Sequence, residues 1–322
     1  MDLTYVLPLK MAAPAGGELD HYLVRIAPHA ELIVVDGSAA SVFDAHHARW
    51  TDIAGLQHIA VDADMRHLLN GKVAGVMTGI RRASNERVVI ADDDVRYDAD
   101  GLRRMSEALD RADVVRPQNY FEPLPWHAWL DTGRSLLNRM TGGDWPGTIG
   151  VRRSTLAAAG GYDGDVMFEN LELVRTIVAA GGREACPLDL YVRRLPPSAD
   201  HFWSQRVRQA YDEFARPSRL ATWLAVLPIA AMLGVTRRWT WLALLGAGVV
   251  ALAEAGRRRA GGTHVFPAAA SVAAPVWLCE RAICAWIAAA ARIFLGGIPY
   301  RGRIIARAAT PPRVLQQRLR GA

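Results

Sequence analysis

The sequence predicts an α/β fold: a mixed, mostly parallel sheet with helices on both faces, followed by C-terminal membrane helices. Three observations carry that prediction. Over the first hundred residues short β-branched runs alternate with helical patterns, which gives a largely parallel sheet covered on either side. Two strand-like runs end in acidic residues, at Asp36 and at Asp92-Asp93-Asp94, and in such sheets ligands bind at the carboxyl ends of strands. The last third carries long apolar runs flanked by arginine, the pattern of helices that meet a bilayer.

Taken in order, residues 3–9 form a first strand. Residues 16–26 read as a helix with Glu18 and Asp20 near its first turn. Residues 31–36 give a second strand ending in Asp36-Gly37-Ser38; an ordinary Asp-Gly turn is the other reading of that end. Residues 58–61 fit a third short strand, and residues 70–82 a helix with Ala74, Met77 and Ile80 on one face. Residues 88–95, Val-Val-Ile-Ala-Asp-Asp-Asp-Val, are a buried strand running into three carboxylates. A helix over 100–112 and a strand at Val114-Val115 follow. Trp126, Trp129 and Trp145 are assigned to packing, the commoner use of tryptophan. Residues 147–151 form a strand, 154–159 a helix, and Gly160-Gly161-Tyr162-Asp163 a turn. A helix then opens at Phe168 and ends near Gly181-Gly182. Glu169 and Glu172 share a face near its N-terminus, where the helix dipole favours carboxylates even without catalysis.

Buried charge is costly, so three adjacent carboxylates at a strand end want a counter-charge. Side chains alternate along a strand, which points Asp92 and Asp94 to one side and Asp93 to the other. Two hard oxygen ligands facing one point suit Mg2+ or Mn2+ holding a diphosphate. An acidic turn in water is the bland alternative.

At 322 residues the chain has room for one large domain and an appendage. The formal charge is +6, and the basic excess gathers towards the end, at Arg257-Arg258-Arg259, Arg301, Arg303, Arg307, Arg313, Arg318 and Arg320. These arginines flank apolar runs, which favours a membrane surface over nucleic acid; no aromatic–basic platform for nucleic acid is present. Cys186, Cys279 and Cys284 form neither a metal-binding spacing nor a disulfide framework. Residues 1–10 read as a strand rather than a signal peptide.

Residues 220–235 and 239–255, joined by Arg237-Arg238, make a helical hairpin. Each run falls a little short of the roughly 20 residues a span needs, and snorkelling arginines close the gap. Trp223, Trp239 and Trp241 are expected as interfacial anchors. A third stretch, residues 265–295, carries Pro267, Pro275, Glu280, Arg281 and Arg292 and reads as interfacial or re-entrant. Arginine in the tail places it in the cytoplasm, so a cytoplasmic catalytic domain requires an even number of crossings of the plasma membrane. The expected division is a catalytic domain over 1–200, an interfacial segment over 201–219, a transmembrane hairpin over 220–255, a third membrane-associated segment over 256–300 and a basic cytoplasmic tail over 301–322.

Residues 1–210 resemble the family 2 glycosyltransferases with the GT-A nucleotide-sugar-binding, Rossmann-like fold. Val34-Val35-Asp36-Gly37-Ser38 looks like that family's uridine-contacting segment, and Gly71-Lys72-Val73-Ala74 with Gly79-Ile80 like the stretch lining its donor site. Asp92-Asp93-Asp94 matches the Asp-x-Asp metal motif. Gly160-Gly161-Tyr162 followed by Glu169-Asn170 sits where the family has Gly-Gly-Phe and then Glu-Asp. Gln205-Arg206-Val207-Arg208 resembles the start of Gln-x-x-Arg-Trp, found in cellulose synthase and in the ceramide glucosyltransferase branch, the closer of the two in motifs. Gly296 to Arg303 resembles the Arg-rich tail of lipid-linked members.

The resemblance implies an inverting transferase that moves a sugar from a UDP-sugar to a lipid hydroxyl at the cytoplasmic face. Asp36 would bind the uracil and Lys72 the ribose or diphosphate. Asp94, helped by Asp92, would hold Mg2+ or Mn2+ on the diphosphate, with Asp93 beside the donor. Arg208 would offset charge on the leaving group and Gln205 would orient it. Glu169 would be the base, with Glu172 as substitute. Two departures matter: Asn170 stands where the family has its catalytic aspartate, and Gln209 replaces the motif's tryptophan. The first allows an acceptor that needs no base, a polyprenyl phosphate; the second argues against a processive polymerase. A non-catalytic nucleotide-sugar-binding membrane protein is a further alternative.

Overall fold

The computed structural model describes residues 1–300 and 302–321; Arg301, part of the basic tail, lies outside the described residues. The chain opens with β1 (Leu3–Leu9), α1 (Gly17–Ile26), β2 (Glu31–Asp36), α2 (Ala40–Trp50), β3 (Leu56–Ala60), α3 (Gly71–Arg82) and β4 (Arg87–Ala91). There follow β5 (Val95–Arg96), α4 (Ala99–Leu109), β6 (Val114–Val115), β7 (Gln118–Phe121), α5 (Trp126–Met140), β8 (Thr148–Arg152), α6 (Arg153–Ala158) and α7 (Glu169–Ala179). β9 (Glu184–Ala185), β10 (Tyr191–Arg194) and α8 (Ala199–Tyr211) complete the α/β body. The remainder is α9 (Pro217–Val235), α10 (Trp239–Arg258), α11 (Ala269–Leu295), the hairpin of β11 (Ile298–Tyr300) and β12 (Arg303–Ile305), and α12 (Pro312–Gly321). The helices α2 and α5 and the strands β7 and β10 go beyond the elements expected from the sequence.

The main sheet has the order β3-β2-β1-β4-β8-β6-β9. β3, β2, β1 and β4 run parallel, and β8 is antiparallel to both its neighbours. Alternation along the strands builds two cores. Tyr5, Leu7, Leu32, Val34 and Val89 face one side with α1 and α4, whereas Val6, Ile33, Val35, Val88 and Ile90 face the other with α3 and α7. That two-sided burial explains why these strands read as unbroken apolar runs. α3 lies close on β1, because a Cβ at Gly75 would come within 2.8 Å of the Pro8 side chain.

A smaller sheet, β5-β10-β7, brings distant residues to the end of β4. Arg194 is paired with Val95 across β10 and β5, and Leu195 N donates to Asp94 O at 2.7 Å. The acidic triplet is therefore not within a strand, as expected, but in the turn between β4 and β5, closed by Val95 N donating to Asp92 O.

α9 and α10 are long and apolar enough to cross a membrane. They are mostly uncovered: only 6% and 11% of their apolar windows are buried. Trp239 and Trp241 are exposed, but Trp223 is buried edge-on against Trp277, so it is not the anchor expected. α11 packs against α5 and α8 of the body as well as α9 and α10. Buried Arg206 of α8 ties it there, bonded to Asp131 at 2.6 Å and to Glu280 at 3.0 Å. The tail then returns to the body: Met167 N and Phe168 N donate to Arg307 O and Ala308 O, and α12 packs on α7. Among the tryptophans expected to pack, Trp126 is 63% exposed and leans on Trp203, whereas Trp145 packs on Phe168 beneath Arg116.

Candidate active site

The carboxyl ends of β1, β2 and β4 open onto two adjoining clefts, as expected for an open α/β sheet. One, of about 710 Å3, is lined by Lys72, the three aspartates, Glu169, Gln205 and Arg208 among others. The other, of about 660 Å3, lies over the end of β2 and is lined by Asp36, Ser38, Phe43 and Arg303 among others. A third cavity, of about 180 Å3, runs from Asp92 and Glu169 to Arg219 of α9 and Arg281 of α11.

Lys72 sits in the first turn of α3, which Asn70 caps by accepting from Lys72 N at 3.1 Å. Its Nζ lies 2.6 Å from Asp92 and 3.0 Å from Glu169. Burial disfavours the ammonium, but those two carboxylates outweigh it and hold Lys72 protonated. Arg194 lies 2.9 Å from Asp94 and 3.6 Å from Asp92. Asp92 and Asp94 thus converge as expected, although a turn rather than strand alternation aims them, and Asp93 is exposed at the cleft's rim. Burial and the charge of Asp92 raise the Asp94 carboxyl above its ordinary range against the pull of Arg194. Its Oδ1 is buried with no partner.

Two expected site residues, Asp36 and Glu172, are placed differently. Asp36 is buried, and its oxygens are already engaged: Oδ1 accepts from Ser38 N at 2.8 Å, and Oδ2 from His46 Nδ1 at 2.6 Å. Burial would raise this carboxyl, but hydrogen bonds from His58, Ser38 and His46 hold it well below the carboxylate range. It is therefore no free acceptor for a base. Asp36, His46 and His58 stand close enough to share a metal. However, His46 Nε2 accepts from Ala15 N, so neither nitrogen of His46 has a lone pair to offer. Glu172 is wholly buried, with Oε2 accepting from Thr310 N at 2.6 Å. It holds the tail and lines none of the three cavities. Gln205 does line the larger cleft, with Oε1 buried and unpartnered.

Arg208 faces both the large cleft and the third cavity. Among the described residues it makes no hydrogen bond or ion pair, and its guanidinium stands over the Tyr300 ring at 5.2 Å. Glu169 lines the same two spaces, with Oε2 a distant 3.5 Å from Asn70. Asn170 accepts from Lys72 Nζ at 3.4 Å and donates to Pro146 O at 3.0 Å.

Sequence reasoning missed Arg194 and Asp212, and took Arg281 only as a charge within the third apolar stretch. Asp212 follows α8 and faces the third cavity, with Oδ1 buried and unpartnered. Burial and then the charge of Glu169 push its carboxyl up to about 8. The one available signal was its spacing of four from Arg208, which puts both on one helix face.

No protein-family model matches the sequence, and no curated protein matches it. Solved structures do match its shape. The mannosyltransferase PcManGT from Pyrobaculum calidifontis, in complex with GDP-Man and Mn2+, matches with a TM-score of 0.50 at 18% identity, over 88% of this chain and 87% of that one. TarS 1–349 from S. aureus, in complex with UDP-GlcNAc, gives 0.46 at 15% identity over 63% of this chain. Glucosyl-3-phosphoglycerate synthase from Mycobacterium tuberculosis gives 0.41 at 18% identity, over 65% of this chain and 77% of that one. The chain spans 61% of the length of the TarS fragment. On the match to the mannosyltransferase, which covers most of both chains, the α/β body has the fold of the GT-A-type glycosyltransferases.

Proposed function

We propose that this chain is a membrane-anchored inverting glycosyltransferase, moving a sugar from a nucleotide-sugar donor, a UDP-sugar, to a lipid acceptor hydroxyl at the cytoplasmic face of the plasma membrane. The observation that carries this reading is the third cavity. Its wall holds Asp92 and Glu169 on one side and Arg219, Trp277 and Arg281 of the apolar helices on the other. A donor seated at the strand ends and an acceptor arriving along the helices meet there.

The two larger clefts suit a nucleotide diphosphate sugar. The base pocket lies over β2, where Asp36 fixes the Gly37-Ser38 turn rather than offering a free carboxylate. Asp92, Asp93 and Asp94 line the diphosphate end with Lys72 and Gln205. The orphaned Oδ1 of Asp94 beside Asp92 fits a hard divalent cation. Mg2+ or Mn2+ held by those two residues supplies, when bound, neutralisation of the diphosphate.

In the transfer, the acceptor oxygen attacks the anomeric carbon opposite the diphosphate. The new C–O bond forms as the bond to the β-phosphate oxygen breaks, which inverts the centre. Glu169 takes the hydroxyl proton. Charge gathering on the leaving diphosphate faces Lys72 and Arg208, which makes no ion pair among the described residues.

The topology agrees with membrane anchoring. Because the tail packs on the body, both lie on one side; α9 and α10 then supply two crossings, and α11 lies along the surface. The test is transfer of labelled sugar from UDP-sugars to lipid by the full chain in liposomes. Sugar appearing only in the aqueous phase overturns the lipid acceptor.

A further inference from the structure

We infer that the cavity between the α/β body and α11 is an anion site that binds a phosphate in the headgroup of the lipid acceptor, with Arg281 as its central ligand. The word acceptor rests on the glycosyl-transfer reading; the anion site follows from Arg281 alone.

Arg281 lies in the middle of α11, is only 3% exposed and lines the cavity. Its Nε is buried without a partner, and among the described residues Arg281 makes no hydrogen bond or ion pair. The carboxylates around it are engaged elsewhere. Glu280 is bonded to Arg206 at 3.0 Å, and Asp131 to Arg206 at 2.6 Å. Glu213 lies 2.9 Å from Arg216 and 3.4 Å from Arg219. Asp212, its carboxyl pushed up to about 8 by burial and then by the charge of Glu169, makes no hydrogen bond or ion pair with Arg281, and its Oδ1 is unpartnered.

In direct contact with it is the Trp277 ring, 5.5 Å from the guanidinium, while Glu280 and Glu213 attract it without a hydrogen bond or ion pair. A cation–π contact is much weaker than the cost of taking an ion out of water. The ring cannot offset the burial, so the site is short of an anion. Arg216 Nε, on the same cavity wall, is also buried and unpartnered. Planar guanidinium forks match phosphate oxygens two at a time.

Size and surroundings identify the phosphate's source. At about 180 Å3 the cavity is far smaller than the 660 and 710 Å3 clefts over the strand ends. It takes a headgroup, not a nucleotide. Arg219, in the first turn of α9, lines the same cavity, and α9 is long and apolar enough to cross a membrane, so the cavity sits where a lipid headgroup is held and free phosphate need not be.

The test titrates the detergent-solubilised full chain, with UDP saturating the donor cleft, using three probes: dibutyryl phosphatidic acid, dibutyrylglycerol and inorganic phosphate. Dibutyryl phosphatidic acid should bind at one site, at least tenfold tighter than either of the others. Arg281→Met should weaken it at least tenfold with UDP affinity unchanged, and Arg281→Lys should restore part of the loss. Equal binding of dibutyrylglycerol overturns the phosphate site, on the native chain and without any variant. Equal binding of inorganic phosphate overturns the lipid source. Undiminished binding by Arg281→Met overturns the role of Arg281. Failure of UDP to bind would count against the glycosyl-transfer reading instead, and the probe titrations would still decide the anion site.

Discussion

Glu169→Gln separates chemistry from binding. Glu169 lies 3.0 Å from Lys72, but Lys72 keeps Asp92 at 2.6 Å, and glutamine retains an oxygen towards the ammonium. The donor cleft should therefore hold its shape. What is lost is the proton acceptor, and a general base contributes about 10²–10⁴ in rate, or about 2.7–5.4 kcal/mol at 1.36 kcal/mol per decade. Single-turnover transfer from a labelled UDP-sugar should fall by that factor, while UDP affinity by calorimetry stays within twofold. Asp212→Asn is the companion. With its carboxyl up at about 8, Asp212 is already neutral at pH 6–7, so the amide should leave the rate there nearly unchanged. A base at Asp212 would act only when ionised, and the native rate would then climb about tenfold per pH unit towards 8. That climb, its loss in Asp212→Asn and a near-native Glu169→Gln would together move the base to Asp212. If neither variant matters, the acceptor oxygen is already ionised and no base is needed.

Asp94→Asn should abolish transfer, and EDTA should do the same to the native chain; full activity in EDTA contradicts a metal-held diphosphate. Arg206→Met should destabilise the chain by about 3–5 kcal/mol, because it takes the buried ion-pair partner from Glu280 and leaves Asp131 only Arg134 at 3.6 Å; unfolding in detergent measures it, and a loss under 1 kcal/mol contradicts it. Burial opposes ionisation of Asp131, yet Arg134 and Arg206 hold its carboxyl well below the ordinary range. A depressed folded value contributes stability above the unfolded carboxylate pKa of about 3.9 that is lost as pH falls below it. Asp131→Asn should therefore flatten the acid limb of stability, and equal slopes contradict the pairing. Glu172→Ala removes the acceptor of Thr310 N–H and leaves a buried amide unpaired, worth about 1–3 kcal/mol. Amide exchange around Thr310 should quicken about tenfold with transfer unaffected, and unchanged exchange contradicts the clasp.

The strand ends were legible because both faces of β1, β2 and β4 are buried, so their runs stand out against polar loops. Lys72 and the acidic triplet were legible for the same reason: each abuts a strong element. Arg194 was not, because it belongs to a four-residue strand with two adjacent arginines, and only pairing with β5 aims one of them at Asp94. Glu169 and Glu172 look equivalent on a helical wheel, yet the tail lies over one and the cavity opens at the other. Arg281 read as a charge interrupting an apolar run. Periodicity cannot tell a snorkelling arginine from a buried one whose neighbouring carboxylates are already engaged, since those engagements are made across α5, α8 and α11. Trp223 and Trp126 exchanged their expected places for a similar reason: the partner that buries Trp223 is Trp277, 54 residues away in sequence.

The most direct measurement is mass spectrometry of lipids extracted after the purified full chain, in liposomes of mixed phospholipid, diacylglycerol and polyprenyl lipids, is incubated with a panel of UDP-sugars and a divalent cation. A membrane glycosyltransferase should produce one new lipid heavier by a single sugar residue, with one donor, and Asp94→Asn should produce none. No sugar-bearing lipid with any donor, or the same product from Asp94→Asn, would contradict it.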